Sequence, residues 1–233
     1  MPKFSVIIPT RNEEEYVGKA LKSVIRQTVS RKEMEIIVCD AESSDKTVKT
    51  ARKYADKIIV KKTRNPAQGR NLGAKIAKGE ILMFLDADSE LGRNSLRKIN
   101  EVIKKGYVAG TFLIKYKSSR LIDSIVGGTL NFLEIFFDFF GMKFGNGNCI
   151  FIKKKIFKKI KGFNTKRDIG EDHELMRHAA KYGKTILIKS IKVKTSVRRP
   201  RKEGWIKILN LWIKGLFFPN FKQSNYWLEA RIK

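Results

Sequence analysis

Glu80-Ile-Leu-Met-Phe-Leu-Asp-Ala-Asp-Ser-Glu90 constrains the chain more than any other stretch. Five apolar residues, Ile81 to Leu85, run without a polar break into Asp86-Ala87-Asp88. A continuous apolar run of that length, entered through Lys78-Gly79, predicts a strand buried on both faces, as parallel sheets use. Ligands of open α/β sheets sit beyond the carboxyl ends of such strands. Two carboxylates at that edge repel each other unless a cation or basic groups lie between them. One reading is a hard divalent metal that also holds phosphate oxygens. The other is a turn whose acids cap the next helix.

The residues before this run alternate strand and helix. Phe4 to Pro9 is β-branched and ends in proline, which predicts a first strand. Asn12 is then expected to cap a helix with Glu13, Glu14 and Glu15 in its first turn, where the helix dipole favours acids. Met34 to Asp40 reads as a second strand, and Asp45 is expected to cap the helix after it. A short strand over Asp56 to Lys62 and a helix opened by Asn65-Pro66 precede the fourth strand. That rhythm predicts right-handed crossovers and a parallel sheet. No G-x-G-x-x-G stands at the first strand-to-helix turn, which argues against a dinucleotide-binding dehydrogenase. Beyond Leu91 the rhythm changes. Leu121 to Phe140 is dense in apolar residues and is interrupted by Gly127-Gly128, so two helical pieces packed in the core or lining a cleft are expected. Phe144 to Ile152 reads as a glycine-rich turn into a strand. Asp168 onwards reads as a helix start, and Trp205 to Phe218 as a last amphipathic helix.

Charge speaks to partners. Fifty Lys and Arg against 23 Asp and Glu leave +27, a field that attracts phosphates, nucleic acid or anionic lipid. Cys39 and Cys149 show no metal spacing and are expected as buried thiols, which fits a reducing cytosol. Met1-Pro-Lys-Phe leads straight into a strand, so no signal peptide is expected. No charge-free apolar run reaches the ~18 residues of a membrane span.

Six short motifs then fall in a recognisable order. They are Val6-Ile-Ile-Pro-Thr-Arg-Asn-Glu-Glu14, Val38-Cys-Asp-Ala-Glu-Ser-Ser-Asp-Lys-Thr47, Gly69-Arg-Asn-Leu-Gly73, Asp86-Ala-Asp88, Glu171-Asp172 after Lys161-Gly-Phe163, and Thr195-Ser-Val-Arg-Arg199. Together, over about residues 4 to 200, they resemble family 2 glycosyltransferases. The resemblance implies an α/β fold of the GT-A type: a Rossmann-like, mostly parallel sheet flanked by helices, with a C-terminal acceptor-side portion. It implies one catalytic domain over 1–200, with a nucleotide-sugar half (1–105) and an acceptor half (106–200), and a C-terminal amphipathic extension over 201–233. It also implies inverting transfer of a sugar from a nucleoside-diphosphate sugar to a glycan or lipid-linked acceptor.

The residues carried over by the resemblance are these. Pro9, Thr10, Asn12, Glu14, Asp40, Arg70, Asp86 and Ala87 line the nucleotide-sugar site, with Asp40 accepting from a nucleobase N–H. Asp88, with Asp86, holds Mg2+ or Mn2+. Asp172, beside Glu171, is the general base. Arg198 and Arg199 add diphosphate contacts, and Asn146 and Asn148 line the acceptor side. Arg70 and Asp40 also have plainer readings, as a surface charge and a turn cap. The Q-x-x-R-W of processive synthases is absent, so polymer synthesis is not expected.

Trp205 to Phe218 carries Lys207, Asn210 and Lys214 on one side and apolar residues, two of them tryptophan, over the other. A basic amphipathic helix of that kind suits an anionic lipid headgroup region, against core packing or a dimer seam. A cytoplasmic protein, peripheral on the inner face of the membrane, is the expectation. Charge alone also suggests a nucleic-acid-binding module. Basic residues spread along the whole chain and acids at the predicted strand ends argue against it. A catalytically inactive scaffold is the third reading, disfavoured by intact Asp40, Asp88 and Asp172.

Overall fold

The computed structural model describes residues 1–141, 145 and 147–217. The first half alternates as expected: β1 (Phe4–Thr10), α1 (Val17–Ile25), β2 (Met34–Asp40), α2 (Thr47–Ala51), β3 (Lys57–Val60), α3 (Pro66–Ile76) and β4 (Ile81–Leu85). A two-residue strand β5 (Ser89–Glu90), α4 (Ser95–Lys104), β6 (Ala109–Tyr116) and α5 (Leu121–Phe139) follow. The chain continues through β7 (Cys149–Lys153), α6 (Lys154–Lys159), α7 (Glu171–Ala180), β8 (Thr185–Thr195), α8 (Arg198–Glu203) and α9 (Trp205–Phe217).

All eight strands form one sheet in the order β3-β2-β1-β4-β7-β6-β8-β5. β1 pairs in parallel with β2 and with β4, so Thr10, Asp40 and the residues after Leu85 emerge at one edge. β7 is antiparallel to both neighbours and joins the two parallel parts. Every residue of β1, β2 and β4 is buried, as an unbroken apolar run requires when helices cover both faces. Alternation along β1 sorts the layers. Val6 and Ile8 pack with α1 and α4, whose apolar faces include Leu21, Val24, Leu96 and Ile99. Ile7 faces the other layer, with Ala74 of α3, Ile156 of α6 and Leu175 of α7. There Phe84 meets Phe163 edge-on at 4.8 Å between ring centroids, which ties the α6–α7 loop to β4.

Several expectations are corrected. Asn12 caps no helix: its φ is 51°, a left-handed conformation that asparagine tolerates, and α1 begins only at Val17. No acid lies in the first turn of α1. Glu13 and Glu14 stay in the preceding loop because their main-chain N–H groups are bound by Thr47 Oγ1 and Asp45 Oδ2 across it. Asp45 does bind the start of α2, accepting from the Thr47 N–H at 2.9 Å. The stretch from Leu121 is one helix of 19 residues, not two, because both glycines keep helical geometry and a Cβ on Gly127 would meet the Tyr116 ring.

Its orientation is also the reverse of a core helix. Asp123, Gly127 and Asn131 face the protein, while Leu121, Ile125, Phe132 and Phe139 are exposed. The polar side chains are drawn inward by unpaired backbone. Asn131 accepts from Ile114 N and donates to Ile114 O on β6, at 3.1 and 2.8 Å. In α9, Ile208 and Leu211 are buried and Trp205 packs on Tyr116, whereas Ile206 and Ile213 are exposed. Cys39 and Cys149 are free and buried, as expected.

Candidate active site

Two loops close over the ends of β1 and β2. Asp40 is buried and its carboxylate accepts three bonds, from Thr10 Oγ1 (2.8 Å), Ser43 N (2.8 Å) and Ser43 Oγ (2.6 Å). Asn12 joins the same loops, its N–H donating to Ser43 Oγ and its Oδ1 accepting from Ser44 N. Glu14 accepts from Lys46 N at 3.0 Å. Beside them a cleft opens between Pro9 and Thr10 of β1, Ala41 after β2 and Asn65 at the start of α3. Asn65 caps α3 by accepting from Gln68 N, and its amide donates to Thr165 O, which ties the start of the helix to the later loop.

Arg70 is the hub of the charged part of the rim. It sits on the first turns of α3 and is only 2% exposed, so the reading of a surface helix charge is wrong. Its Nη1 donates to Glu171 Oε1 at 2.9 Å and its Nη2 to Asp86 Oδ1 at 2.8 Å and to the Gly147 carbonyl at 3.2 Å. Its guanidinium lies 5.2 Å from the Phe163 ring centroid, and a buried charge lying on an aromatic face is held in one orientation. Burial opposes the arginine's charge, but Asp86 and Glu171 outweigh that and hold it above an ordinary arginine.

Glu171 and Asp172 open α7 behind a left-handed Gly170. Burial pushes the Glu171 carboxyl up to about 7, Asp172 adds to the rise, and Arg70 only partly opposes both. One guanidinium shared among Asp86, Glu171 and Asp172 leaves negative charge in excess, which a proton or a further cation must balance. Asp172 is half-buried and accepts from the His173 N–H at 2.8 Å. Gly145 and Gly147 lie directly on it. A Cβ on Gly147 would stand 2.9 Å from Asp172 Oδ2, and one on Gly145 would overlap the Asp172 carbonyl, so this approach needs glycine. The Asn148 carbonyl accepts from Asp86 N, fixing Asn148 to the end of β4. Asn146 lies outside the described residues.

Asp88 faces Arg198, whose Nε is 3.4 Å from Asp88 Oδ2. The same guanidinium donates to Glu13 Oε1 at 2.6 Å and lies over the Tyr16 ring at 4.5 Å. Arg199 instead pairs with Glu203 in its own helix. Ala87, buried between the two aspartates, sets the turn. Among the described residues no three His, Cys, Asp or Glu side chains close on a single metal position. Asp86 and Asp88 could therefore supply only part of a coordination shell.

Three contributors escaped the reading of the sequence. Glu13, rather than Glu14, holds Arg198, and Tyr16 lies beneath it. Their signal was the spacing of Glu13 and Tyr16 across one turn, which helix capping explained equally well. Glu134 of α5 lines a small cavity with Thr111, Asp138 and Thr185, and burial, then Asp138 and Asp172, push its carboxyl up to about 8.

The glycosyl transferase family 2 model matches residues 5–161, which include the ends of β1, β2 and β4. The chain belongs to glycosyl transferase family 2. Within the family it is 36% identical over 174 residues to the GalNAc(5)-diNAcBac-PP-undecaprenol beta-1,3-glucosyltransferase of Campylobacter jejuni, covering 70% of this chain and 55% of the other. It is 33% identical over 123 residues to the poly(ribitol-phosphate) beta-N-acetylglucosaminyltransferase TarS of Staphylococcus aureus, covering 50% of this chain but 21% of TarS. This family member thus spans from a fifth to about half of those relatives' length. Among solved structures, the mannosyltransferase PcManGT of Pyrobaculum calidifontis, in complex with GDP-Man and Mn2+, aligns with a TM-score of 0.67 at 20% identity, over 91% of this chain and 64% of the other. S. aureus TarS 1-349 with UDP-GlcNAc aligns at 0.64 and 20%, over 83% and 58%. The expected GT-A architecture is therefore the fold of this chain.

Proposed function

We propose that this rim is the active site of an inverting, metal-dependent glycosyltransferase. It would move a hexose or a related sugar from a nucleoside-diphosphate sugar to an acceptor hydroxyl. The observation that carries the reading is Arg70, which gathers Asp86 from β4 and Glu171 from α7 at one sheet edge, with Asp172 beside them. Membership of the family and the printed activities of its relatives support it.

The nucleobase enters the cleft beside Pro9 and Thr10. A carboxylate offers about four lone-pair directions. Asp40 uses three on Thr10 and Ser43, leaving one to accept a ring N–H. Asn12 and Glu14 hold the loop over the ribose. Asp88, with Asp86, would hold Mg2+ or Mn2+, for which hard carboxylate oxygens and an excess of negative charge are suited. When bound, the cation supplies Lewis-acid stabilisation to the departing diphosphate. Arg198, which now neutralises Asp88, would turn to the diphosphate once that carboxylate is otherwise engaged, with Arg199 behind it on α8.

Asp172 takes the proton of the acceptor hydroxyl. The oxygen then bonds to the anomeric carbon from the face opposite the diphosphate. The carbon–oxygen bond to the diphosphate breaks, and its electron pair leaves with the phosphate. One displacement inverts the anomeric configuration. Glu171, tied to Arg70, positions Asp172 rather than touching substrate. Asn148 would line the acceptor side, the role the resemblance also implies for Asn146. The relatives named for poly(ribitol-phosphate) and for a PP-undecaprenol glycan support a glycan or lipid-linked acceptor. Residues 1–105 would then serve the donor and 106–200 the acceptor, with 201–233 as an extension.

A thermal-shift panel of UDP- and GDP-sugars, with and without Mn2+, tests the reading. The expected result is a melting temperature that climbs with nucleotide-sugar concentration and needs the metal. Asp88→Ala should remove both the metal requirement and turnover. No response to any nucleotide, together with steeply salt-dependent RNA or DNA binding, would favour the nucleic-acid module. A metal-dependent shift without nucleotide release for any acceptor would favour an inactive scaffold.

A further inference from the structure

The outer face of α5 is the largest feature that sugar transfer leaves unexplained. Helices of globular proteins turn their apolar stripe inward. Here Leu121, Ile122, Ile125, Phe132, Phe136 and Phe139 are all exposed, Phe139 by 82% and Leu121 by 76%. The three acids of the helix do not reach that face: Asp123 is buried, and Glu134 and Asp138 line the cavity beneath. Among its exposed residues α5 therefore carries no charge at all. Nineteen residues at a rise of about 1.5 Å make this a strip nearly 30 Å long.

What borders the strip says what covers it. At its first turn stand the exposed Arg120, which precedes the helix, and Arg201, which reaches Asp123, and the α8–α9 segment that carries Arg201 adds the exposed Lys202 and Lys207, the latter paired with Glu203. α8 and α9 are held there through Asp123, which accepts from Arg201 and from Trp205 Nε1 at 2.9 Å. The whole chain carries +27. A second copy seated on the strip would bring two such rims and two such fields together, which repel. An anionic bilayer meets both halves of the surface, taking phenylalanines below the headgroups and pairing lysines and arginines with lipid phosphates. No described helix is long and apolar enough to cross a membrane, so the strip would lie in the interface plane.

We infer that α5, with the basic cluster at its first turn, docks the protein in-plane on a bilayer containing anionic lipid. The sequence pointed to α9 for this role. The structure favours α5, because α9 spends Ile208 and Leu211 on the protein interior.

Vesicle co-sedimentation of the full chain tests it, without donor or acceptor, so its failure leaves the sugar-transfer reading as it stands. Vesicles of phosphatidylcholine alone are compared with vesicles that also contain phosphatidylglycerol. Binding is expected to the mixed vesicles and to weaken as salt is raised. Phe132→Ser/Phe136→Ser/Phe139→Ser should lower partitioning at least about tenfold, with an unchanged melting temperature. Phe139→Ser alone, at the last residue of the helix, gives a milder loss if the triple variant folds poorly. Equal partitioning of wild type and variants overturns the inference, as does absence of binding to the mixed vesicles. So does a dimer in light scattering that the triple variant breaks, since the strip would then seat a second copy.

Discussion

The rim at the ends of β1, β2 and β4 and the outer face of α5 differ in almost every physical respect. At the rim, charges are buried or half-buried and held in ion pairs: Arg70 with Asp86 and Glu171, Arg198 with Glu13 and Asp88. On α5, large apolar side chains stand in water while the polar ones turn inward. Neither arrangement is what folding alone favours. A well-packed apolar rim would be at least as stable as buried ion pairs, and an exposed phenylalanine strip contributes nothing to the core. Departures of this kind concentrate where a chain meets its ligands. The two differ in what they demand of the fold. The rim ties α3, β4 and α7 together through Arg70, whereas no hydrogen bond or ion pair is made by the apolar side chains of the strip.

The largest expected effect breaks the rim. Arg70→Met leaves the buried Glu171 and the half-buried Asp86 without their cation and should destabilise by about 3–5 kcal/mol in urea titrations. Adding Asp86→Asn and Glu171→Gln to that variant should restore much of the loss. A single variant as stable as wild type would mean that the Arg70 ion pairs add nothing to the fold.

A smaller effect comes from the cavity that lies between the two regions. Glu134 and Glu171 keep their protons in the fold up to about 8 and about 7, against an ordinary 4.5. Between those values the folded chain binds more protons than the unfolded one. Their contribution to stability is therefore whole below 4.5 and is lost as pH rises through 7 and 8. Glu134→Gln cannot ionise, so it should match wild type in acid and become the more stable of the two as pH rises through 8 in denaturant titrations. A constant difference across pH would remove Glu134 from the titrating set.

The smallest effect is on α5. Leu121→Ser and Phe139→Ser, at the two most exposed positions of the strip, should each change stability by no more than about 0.5 kcal/mol, as measured by urea titration. A loss of several times that would place these side chains against protein and erase the contrast with the rim.

How far the sequence could be read follows the same division. Ile81 to Leu85 and Met34 to Asp40 announce buried parallel strands because no polar residue interrupts them. Once those strands are parallel, Asp40 and Asp86 must share an edge. Arg70 was legible as part of a motif but not as a hub, because its partner Glu171 lies 101 residues away and no local pattern encodes that meeting. Asn12 misled because a polar residue ahead of acids fits a capped helix and a left-handed loop equally well. α5 misled for a different reason: periodicity locates an apolar stripe but not the direction it faces. The spacing of Asp123, Gly127 and Asn131, four residues apart each time, was the available signal that the polar side turns inward.

Asp172→Asn tests the central claim most directly, with donor affinity by calorimetry and nucleoside-diphosphate release in the presence of acceptor measured on one preparation. Asp172 touches neither Asp88 nor the cleft beside Thr10 in any bond described above, so donor affinity should stay within about threefold of wild type while turnover falls by at least about a hundredfold. Turnover at the wild-type rate would contradict Asp172 as the base. Loss of donor affinity in step with turnover would place it in the donor site instead.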